Sequence, residues 1–327
     1  MKPSEILSWR SAAQKRRIAG GLSAVEQLLA QVAGAYPGQL GEVCTQTLQA
    51  GGKRLRPLLV LLAARNTASL DGAVVRAAAS VELLHMATLV HDDVLDGAEL
   101  RRGRPTVLKQ FGGEAAVSAG NYLLAQAFNQ LVKTRDPVAV ELLSRVALGL
   151  SEGERLQAAD AFSAALTVDQ YLHRCRLKTA DLFAACGRLG ALITSLSADT
   201  VEALAAFGDS LGLAFQILDD ILDLTGDEAA TGKRRGTDLR DGTVTLPILF
   251  ALEARPEIGP RLERCTDDEA VLDGVVVDVV ESGGVERARK LALDYLHDAR
   301  GRLATCRGGF ERELLNELAG SVVDRYG

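Results

Sequence analysis

Residues 74–96 read VVRAAASVELLHMATLVHDDVLD, and the spacing of their apolar side chains indicates the fold. These side chains recur three and four positions apart, which is the period of one face of an α-helix. A second run of this kind extends from Val201 to Leu222, and most other windows repeat it, whereas alternation typical of strands is nearly absent. The sequence therefore predicts an all-α fold, in the form of a single large helical bundle.

The composition supports helices that pack at close range. Of the 327 residues, 47% are hydrophobic but only 4% are aromatic, so Ala, Leu and Val supply most of the apolar mass. The β-branched cluster Val275–Val280 is predicted to be helical too, because its neighbours are helical and no nearby segment offers a pairing strand. Thr167 with Gln170 predicts a capping box, and Pro247 is expected to open a helix after Thr245.

Charge, hydropathy and cysteine content exclude several classes of protein. Lys and Arg number 37 against 43 Asp and Glu, for a net charge of −6, and nucleic acid is not the expected partner. No uninterrupted apolar run approaches the roughly 18 to 20 residues of a membrane span, so we predict no transmembrane segment. The five cysteines contain no C-x-x-C pair, which is typical of reduced thiols in the cytoplasm. We predict an N-terminal extension over residues 1–22, without the features of a signal peptide, and a single domain over 23–327.

Two segments are predicted to be loops. They are Gly97–Thr106 and Gly226–Thr245. The second is long for a compact helical protein, and long ordered loops are usually functional.

The motif Asp-Asp-x-x-Asp occurs twice, at residues 92–96 and 219–223. On a helix the first and third carboxylates of such a motif lie about 40° apart on one face. Like charges at this spacing destabilise a helix by roughly 0.2–0.5 kcal/mol unless a cation lies between them. A ligand set of carboxylates, with no Cys and few His, suits Mg²⁺, which is usually coordinated by phosphate oxygens of the substrate as well. The sequence therefore predicts several Mg²⁺ ions that bridge a diphosphate, with the metal ligands Asp92, Asp96, Asp219 and Asp223.

Basic residues accompany the two acidic motifs. Lys53 and Arg56 are expected on one face of a helix start that follows two glycines, where backbone amides also favour anions. His85 precedes Asp92 by seven residues, so it lies within about 20° on the same stripe. Further cations and polar donors are Arg101, Arg102, Arg104, Lys178, Thr179, Lys233, Arg234 and Arg235. Two sets of cations beside two acidic faces imply two phosphorylated substrates, one held through metal and one held directly.

An ordered set of motifs resembles the trans-isoprenyl diphosphate synthase family. The set is G-G-K-R-x-R-P, H-x6-D-D-x-x-D, R-R-G-x-P-T, K-T, F-Q-x-x-D-D-x-x-D and G-K-x-x-G-x-D-L-x-x-G-x-x-T-L-P, between Gly51 and Pro247. The resemblance implies an isoprenoid synthase fold with a central active-site cavity and the two aspartate motifs on facing helices. It also implies a reaction in which an allylic diphosphate ionises on Mg²⁺, isopentenyl diphosphate attacks the carbocation, and a proton is lost.

The resemblance assigns roles to individual residues. Asp92, Asp96, Asp219 and Asp223 would hold the metal ions, and the catalytic residues would be Asp92, Asp96, Lys178 and Asp219. Isopentenyl diphosphate would be bound by Lys53, Arg56, His85 and Arg102. The allylic substrate would be contacted by Arg101, Lys178, Thr179, Gln216 and Lys233. A homodimer is expected by the same resemblance, and release of the product implies transient membrane contact.

Product length is predicted from the residues that precede the first aspartate motif. In the family, the residue five positions before the first Asp gates the pocket, and bulky aromatic side chains there favour short products. This sequence has Ala87 at that position, Thr88 next to it and Leu84 one turn earlier. No ring closes the pocket at this level, so we predict a geranylgeranyl or longer polyprenyl diphosphate, with a long chain favoured.

Three other functions fit parts of the pattern. The His91-Asp92 pair suggests an HD-type metal phosphohydrolase, but that site needs several histidines and the chain has only four. A regulatory subunit of a heteromeric synthase would typically have lost its aspartate motifs, and both are intact here. A terpene cyclase would share the metal chemistry, but its cavity should be rich in aromatic residues.

Overall fold

The computed structural model describes residues 7–101, 103–226, 234–304, 306 and 308–324. Over this part of the chain the regular secondary structure is helical apart from two strands of two residues, which confirms the predicted fold class. The first helices and strands are α1 (Ala12–Ala33), α2 (Gln39–Gln49), α3 (Leu55–Ala63), α4 (Gly72–Leu95), β1 (Leu100–Arg101), β2 (Arg104–Pro105), α5 (Val107–Phe111), α6 (Gly113–Val132) and α7 (Pro137–Ala159). They are followed by α8 (Val168–Cys175), a π-helical turn (Arg176–Ala180), α9 (Asp181–Ile193), α10 (Ala198–Thr225), α11 (Thr237–Arg240) and α12 (Leu246–Ala254). Two 3₁₀ helices (Pro256–Arg261 and Glu263–Cys265), α13 (Glu269–Glu281), α14 (Gly284–Ala304) and α15 (Arg312–Asp324) complete the described chain.

The chain divides into two compact units. The first consists of Met1–Ala147, Phe183–Ala205 and Thr305–Leu318, and the second of Leu148–Leu182, Ala206–Ala304 and Ala319–Gly327. The first unit contains the first aspartate motif, and the second unit contains the second motif.

Helix α4 is the core helix of the first unit. It packs along α6 and also contacts α1 and α3. Every residue from Ala77 to Leu84 is buried, so this part of α4 is enclosed on all sides. A helix in that environment carries apolar residues around its whole circumference, and not only on the one face that the periodicity indicated.

Close approach between helices depends on small residues, as the composition predicted. A Cβ atom at Gly187 of α9 would lie 2.1 Å from the carbonyl oxygen of Leu204 on α10. A Cβ atom at Gly190 would lie 2.3 Å from the carbonyl oxygen of Val60 on α3. Both distances are far below van der Waals contact, so only glycine allows these backbones to pack as they do.

Two helices of the described chain, α4 and α10, are long and apolar enough to cross a membrane, with mean hydropathies of 1.5 and 1.4 over an 18-residue window. In each helix 67% of that window is buried inside the protein. Because core helices of soluble proteins pass the same test, the two helices are weak support for a membrane span.

Several local predictions are confirmed. Val275–Val280 lies within α13. Thr167 and Gln170 form the reciprocal capping box at the start of α8. Thr245 precedes α12, which carries Pro247 in its first turn.

The predicted loop Gly97–Thr106 is partly ordered as a hairpin. Strands β1 and β2 pair antiparallel, with Arg101 opposite Arg104, and Gly103 has φ +73° in the turn. Strands of two residues are too short to show alternation, so no sequence pattern indicated them. The long loop Gly226–Thr245 likewise contains the short helix α11, and residues 227–233 lie outside the described part of the chain.

All five cysteines are free thiols, and four of them are buried. Burial raises the pKa of Cys44 to about 11 and those of Cys175 and Cys186 to about 12. These side chains therefore stay protonated and unreactive at neutral pH, in keeping with the predicted reduced state.

Candidate active site

The first aspartate motif forms the end of α4. Asp92 is half-buried, and Asp96 is the exposed C-cap residue of the helix. The helix stops there because Gly97 has φ +61° and two terminal hydrogen bonds close a Schellman motif: Ala98 N–H donates to the Asp93 carbonyl at 2.9 Å, and Gly97 N–H to that of Val94 at 3.4 Å. The sequence D-D-x-x-D-G thus places the outer carboxylates on the final turn of a helix.

The middle residue of this motif is held by the protein. Asp93 is 5% exposed, and its Oδ1 accepts a hydrogen bond from Arg101 Nε at 2.7 Å. Burial raises the pKa of the Asp93 carboxyl above its usual value, although Arg101 opposes the rise. Asp93 is therefore a structural anchor for the hairpin, which leaves Asp92 and Asp96 as the candidate metal ligands that the spacing predicted.

The end of a helix is an unfavourable place for carboxylates. The macrodipole puts partial negative charge at the C-terminus, where a cationic side chain is usually worth about 0.3–1 kcal/mol. No basic residue lies in the last turn of either motif-bearing helix, α4 or α10, both of which are described to their ends. Each motif therefore places carboxylates at a helix end where the macrodipole favours cations, as expected for a site that binds cations.

The predicted basic pair Lys53 and Arg56 does not lie on one helix face. Helix α3 begins only at Leu55, and its N-cap, Arg54, adopts left-handed backbone angles (φ 49°, ψ 36°). Lys53 therefore precedes the helix, and the prediction from i, i+3 spacing was wrong. Arg56 is helical, and its guanidinium carbon lies 4.8 Å from the ring centroid of Phe183, within the range of a cation–π contact.

Arg54 fixes this segment to α4. Its Nη1 donates to buried Glu82 at 2.8 Å, and its Nε donates to Glu26 of α1 at 2.5 Å. Glu82 lies three residues before half-buried His85 on α4. We call these two ion pairs of Arg54, with Glu82 and with Glu26, the Arg54 clamp. The clamp connects the Lys53–Arg56 segment to the helix that carries His85 and Asp92, a connection that the sequence did not reveal.

Breaking the clamp on one side should be costly. Arg54→Met is expected to lower the free energy of unfolding by about 3–5 kcal/mol, because it leaves Glu82 buried without a partner. Adding Glu82→Met to that variant should restore much of the loss, since the buried charge is then also removed. Denaturant unfolding of the three proteins tests this; equal stability of the single and double variants would show that the pair is not coupled.

The predicted gate residues lie on α4. Leu84 and Ala87 are each 1% exposed, and Thr88 is half-buried, with its hydroxyl donating to the His85 carbonyl at 2.9 Å. A larger side chain at Ala87 would therefore have to displace packed neighbours or fill any cavity beside it.

The second aspartate motif repeats the construction of the first. It lies in the last two turns of α10, where Asp219 is exposed, Asp223 is half-buried and the middle residue, Asp220, is 4% exposed. Asp220 accepts hydrogen bonds from Tyr171 Oη at 2.6 Å and from Gln216 Nε2 at 2.8 Å. Burial raises the pKa of the Asp220 carboxyl to about 7, although these two bonds oppose the rise. In both motifs, then, the middle aspartate is a buried anchor and the outer pair is less buried.

Gln216 links this anchor to the Lys178-Thr179 segment. Its Oε1 accepts a hydrogen bond from Thr179 Oγ1 at 2.7 Å while its amide nitrogen is bound to Asp220. Thr179 lies in the π-helical turn, a distortion that is frequent at functional sites. Tyr171, Asp220, Gln216 and Thr179 thus form one chain of hydrogen bonds that fixes the orientation of the Gln216 amide.

The Tyr171 hydroxyl should contribute measurably to stability. Tyr171→Phe is expected to lower the free energy of unfolding by about 1–3 kcal/mol, because a buried carboxylate oxygen loses its donor. The matched control is Tyr122→Phe, because the Tyr122 hydroxyl donates to the Val32 carbonyl at 2.8 Å. This substitution should lower the free energy of unfolding by only about 0.5–1.5 kcal/mol. Denaturant unfolding measures both, and an equal or larger loss in the control would contradict this account of Asp220.

A pocket adjoins Asp219 and Asp223. Asp238, Arg234 and Arg235 also line it. Asp238 N–H donates to Asp223 Oδ2 at 3.2 Å, and Gly236 N–H donates to the Asp223 carbonyl at 2.9 Å, so Asp223 also organises the start of α11. Asp238 is the pocket carboxylate that sequence reasoning missed, although it lies within one of the quoted motifs.

The donor set fits a hard divalent cation. Within the described residues, no three His, Cys, Asp or Glu side chains converge into a ready-made metal cage. Mg²⁺ does not require one, because it is usually held by one or two carboxylates together with waters and substrate phosphates. The outer aspartates of the two motifs match that requirement.

The remaining predicted residues are located as follows. Lys178 lies in the π-helical turn and pairs with Glu154. Lys53 is half-buried, as is Arg56. Arg102 and Lys233 lie outside the described residues.

Comparison with known proteins assigns this architecture to a class. The fold is shared with a polyprenyl synthase from Caulobacter crescentus CB15, solved as a complex with calcium and isoprenyl diphosphate. The TM-score is 0.87 at 34% identity, and the alignment covers 98% of this chain and 100% of that one. The molecule is therefore an all-α protein of the isoprenoid synthase type.

Sequence comparison gives the family. The polyprenyl synthetase family profile matches residues 37–282. Heptaprenyl diphosphate synthase component 2 of Geobacillus stearothermophilus is 39% identical over 304 residues, which cover 91% of this chain and 93% of that protein. The geranylgeranyl diphosphate synthase of Methanosarcina mazei is 35% identical over 297 residues, which cover 88% and 90%. The chain belongs to the polyprenyl synthetase family, and it is a prenyltransferase.

Proposed function

We propose that this chain is a Mg²⁺-dependent trans-polyprenyl diphosphate synthase that condenses isopentenyl diphosphate with an allylic diphosphate. The observation that carries the proposal is the shared construction of the two aspartate motifs. Each ends a helix, buries its middle carboxylate on a protein partner and leaves its outer pair more accessible. Carboxylate pairs of this kind, in a prenyltransferase, suit cations that carry a diphosphate.

Asp92, Asp96, Asp219 and Asp223 would hold the Mg²⁺ ions. Bound Mg²⁺ would neutralise the charge that develops on the departing diphosphate. The protein's part is to present and orient these carboxylates. It does so by separating the anchor role, taken by Asp93 and Asp220, from the ligand role.

The two substrates would be bound by separate groups of basic and polar residues. Isopentenyl diphosphate is assigned to Lys53, Arg56, His85 and Arg102, and the allylic diphosphate to Arg101, Lys178, Thr179, Gln216 and Lys233. Arg101 can combine its bond to Asp93 with substrate binding, because only its Nε is used there and a guanidinium has four further N–H donors. The Gln216 amide is held at its nitrogen by Asp220 and at its oxygen by Thr179, so it would meet the allylic substrate in a single orientation.

The chemistry requires no nucleophilic side chain. The allylic diphosphate ionises, the isopentenyl double bond attacks the carbocation, and the departing diphosphate can remove the proton. The chain's residues would therefore bind and orient the substrates and exclude water, with Lys178 as one direct ligand of the leaving group.

We assign the product to geranylgeranyl length or longer, with a long-chain polyprenyl diphosphate favoured. Support comes from the small buried side chain of Ala87 and from the heptaprenyl and geranylgeranyl synthases among the relatives. The homodimer, the cytoplasmic location, the transient membrane contact, the extension over 1–22 and the single domain over 23–327 stay predictions.

An assay with several primers tests the function. The purified chain is incubated with Mg²⁺, isopentenyl diphosphate and geranyl, farnesyl or geranylgeranyl diphosphate, and the products are identified by mass spectrometry. We expect chains of geranylgeranyl length or longer, none of them in excess chelator, and their return when Mg²⁺ is restored in excess. No chain beyond farnesyl would refute the length assignment, and phosphate release from nucleotides without prenyl transfer would favour the phosphohydrolase.

A second candidate is a component of a heteromeric synthase. The name of the Geobacillus relative, component 2, is the observation that favours it. The same assay decides between the two, because an enzyme that acts alone forms product as a purified single chain, whereas a component does so only with its partner.

A further inference from the structure

Two side chains of α7 hold the ammonium group of Lys178. Glu154 Oε1 lies 2.7 Å from Lys178 Nζ, and Lys178 Nζ donates to Gln157 Oε1 at 2.8 Å. The side chains of Lys178 and Glu154 are 22% and 30% exposed, so the contact is shielded but open to a ligand.

The backbone of α7 and of the π-helical turn brings Glu154 and Lys178 close together. Gly153, next to Glu154, is buried against the π-helical turn, and a Cβ atom there would lie 2.7 Å from Lys178 Cγ and 3.2 Å from Lys178 N. Any other residue at 153 would displace the Lys178 side chain or shift α7 against the π-helical turn. The π-helical turn shifts the register of the helix at Arg176–Ala180, which sets the direction in which Lys178 leaves the backbone.

The hydrogen-bond inventory of an ammonium explains what this arrangement can do. Lys has three N–H donors, and Glu154 and Gln157 accept two of them, so the direction of the third is set by the protein. A lysine side chain otherwise samples many rotamers, and fixing it before substrate arrives removes that cost from the bound state. Only one of the two acceptors, Glu154, is a carboxylate, so Lys178 is paired with a single anion and its third N–H can still donate to a phosphate oxygen.

We propose that Glu154 and Gln157 are positioning residues, which direct Lys178 toward the diphosphate of the allylic substrate. The inference rests on the proposed function, because it concerns how Lys178 meets the substrate of prenyl transfer. Glu154 and Gln157 would not touch the reacting atoms, and both would act through Lys178.

A double-mutant cycle tests the proposal. Glu154→Ala is made in the wild-type chain and in a Lys178→Met chain, and the condensation is followed by steady-state and single-turnover kinetics. In the wild-type background we expect kcat/KM for the allylic substrate to fall by about tenfold to a hundredfold, with KM for isopentenyl diphosphate changed by less than about twofold. In the Lys178→Met background the same change should cost less than about twofold, since there is no ammonium left to position.

Conservative and control variants separate positioning from folding. Glu154→Gln keeps the acceptor oxygen and should recover activity to within about threefold of wild type. Glu152→Gln is the matched control, because Glu152 is exposed two residues away and pairs with Arg155 at 2.7 Å; its kinetics should equal those of wild type. If thermal unfolding shows that Glu154→Ala does not fold, the cycle is run with Gln157→Leu, for which the same pattern is expected.

The outcomes are distinguishable. An equal loss from Glu154→Ala in both backgrounds, or no loss in the wild-type background, overturns the positioning role while the proposed function stands. A wild-type chain that forms no prenyl product under any condition overturns the proposed function, and the inference with it.

Discussion

Asp92→Asn is expected to lower the rate of prenyl transfer by about a thousandfold, the scale seen when one preorganised stabiliser of developing charge is removed. The substitution keeps the size of the side chain and removes one of the two outer carboxylates at the end of α4. The fold should not suffer. Repulsion from Asp96 and from the helix dipole is relieved in this variant, so without metal the free energy of unfolding should change by no more than about 1 kcal/mol.

The matched control is the same chemical change at the other end of the same helix. Asp71 caps the N-terminus of α4, and its Oδ1 accepts from the amides of Ala73 and Val74 at 2.9 and 3.0 Å. Because Asn is as good an N-cap as Asp, Asp71→Asn should change neither rate nor stability by much. Rates from the primer assay and unfolding without metal check both variants. Two results would contradict the assignment of Asp92 as a metal ligand. One is an Asp92→Asn variant that is inactive because it does not fold, and the other is an Asp92→Asn variant that is as active as Asp71→Asn.

The second large effect is expected on product length. Ala87→Phe should shorten the product to farnesyl or near it, because a ring at this buried position of α4 would close the space that the growing chain needs. The same packing limits what the helix tolerates, so the free energy of unfolding should fall by about 1–3 kcal/mol. Product distributions by mass spectrometry and denaturant unfolding of the same preparations measure the two effects together.

A graded series supplies the control for Ala87. Val, Leu and Phe at this position should give progressively shorter products, in the order of side-chain size, if the position is a steric gate. Stability loss alone would lower the total yield without changing the distribution. Unchanged products from Ala87→Phe in a folded protein would refute the gate.

Helix identity could be predicted because its signal is local. The apolar period of residues 74–96, the capping box at Thr167 and the helical assignment of Val275–Val280 all depend on neighbours within a few positions. The hairpin β1–β2 could not be predicted, since two-residue strands carry no period. The expected face shared by Lys53 and Arg56 failed because Arg54 takes left-handed backbone angles, which buried Glu82 and Glu26 of α1 stabilise from elsewhere in the sequence.

The sequence by itself determined that each motif presents two carboxylates on one helix face, because the spacing of four residues and the helical period suffice for that. Only the tertiary structure decided which aspartates are ligands and which are anchors. Asp93 is paired with Arg101 of the hairpin, and Asp220 is paired with Tyr171, which lies 49 residues away along the chain. Burial and the choice of partner depend on contacts outside the helix that carries each motif, so they are decided only when the helices and the hairpin pack.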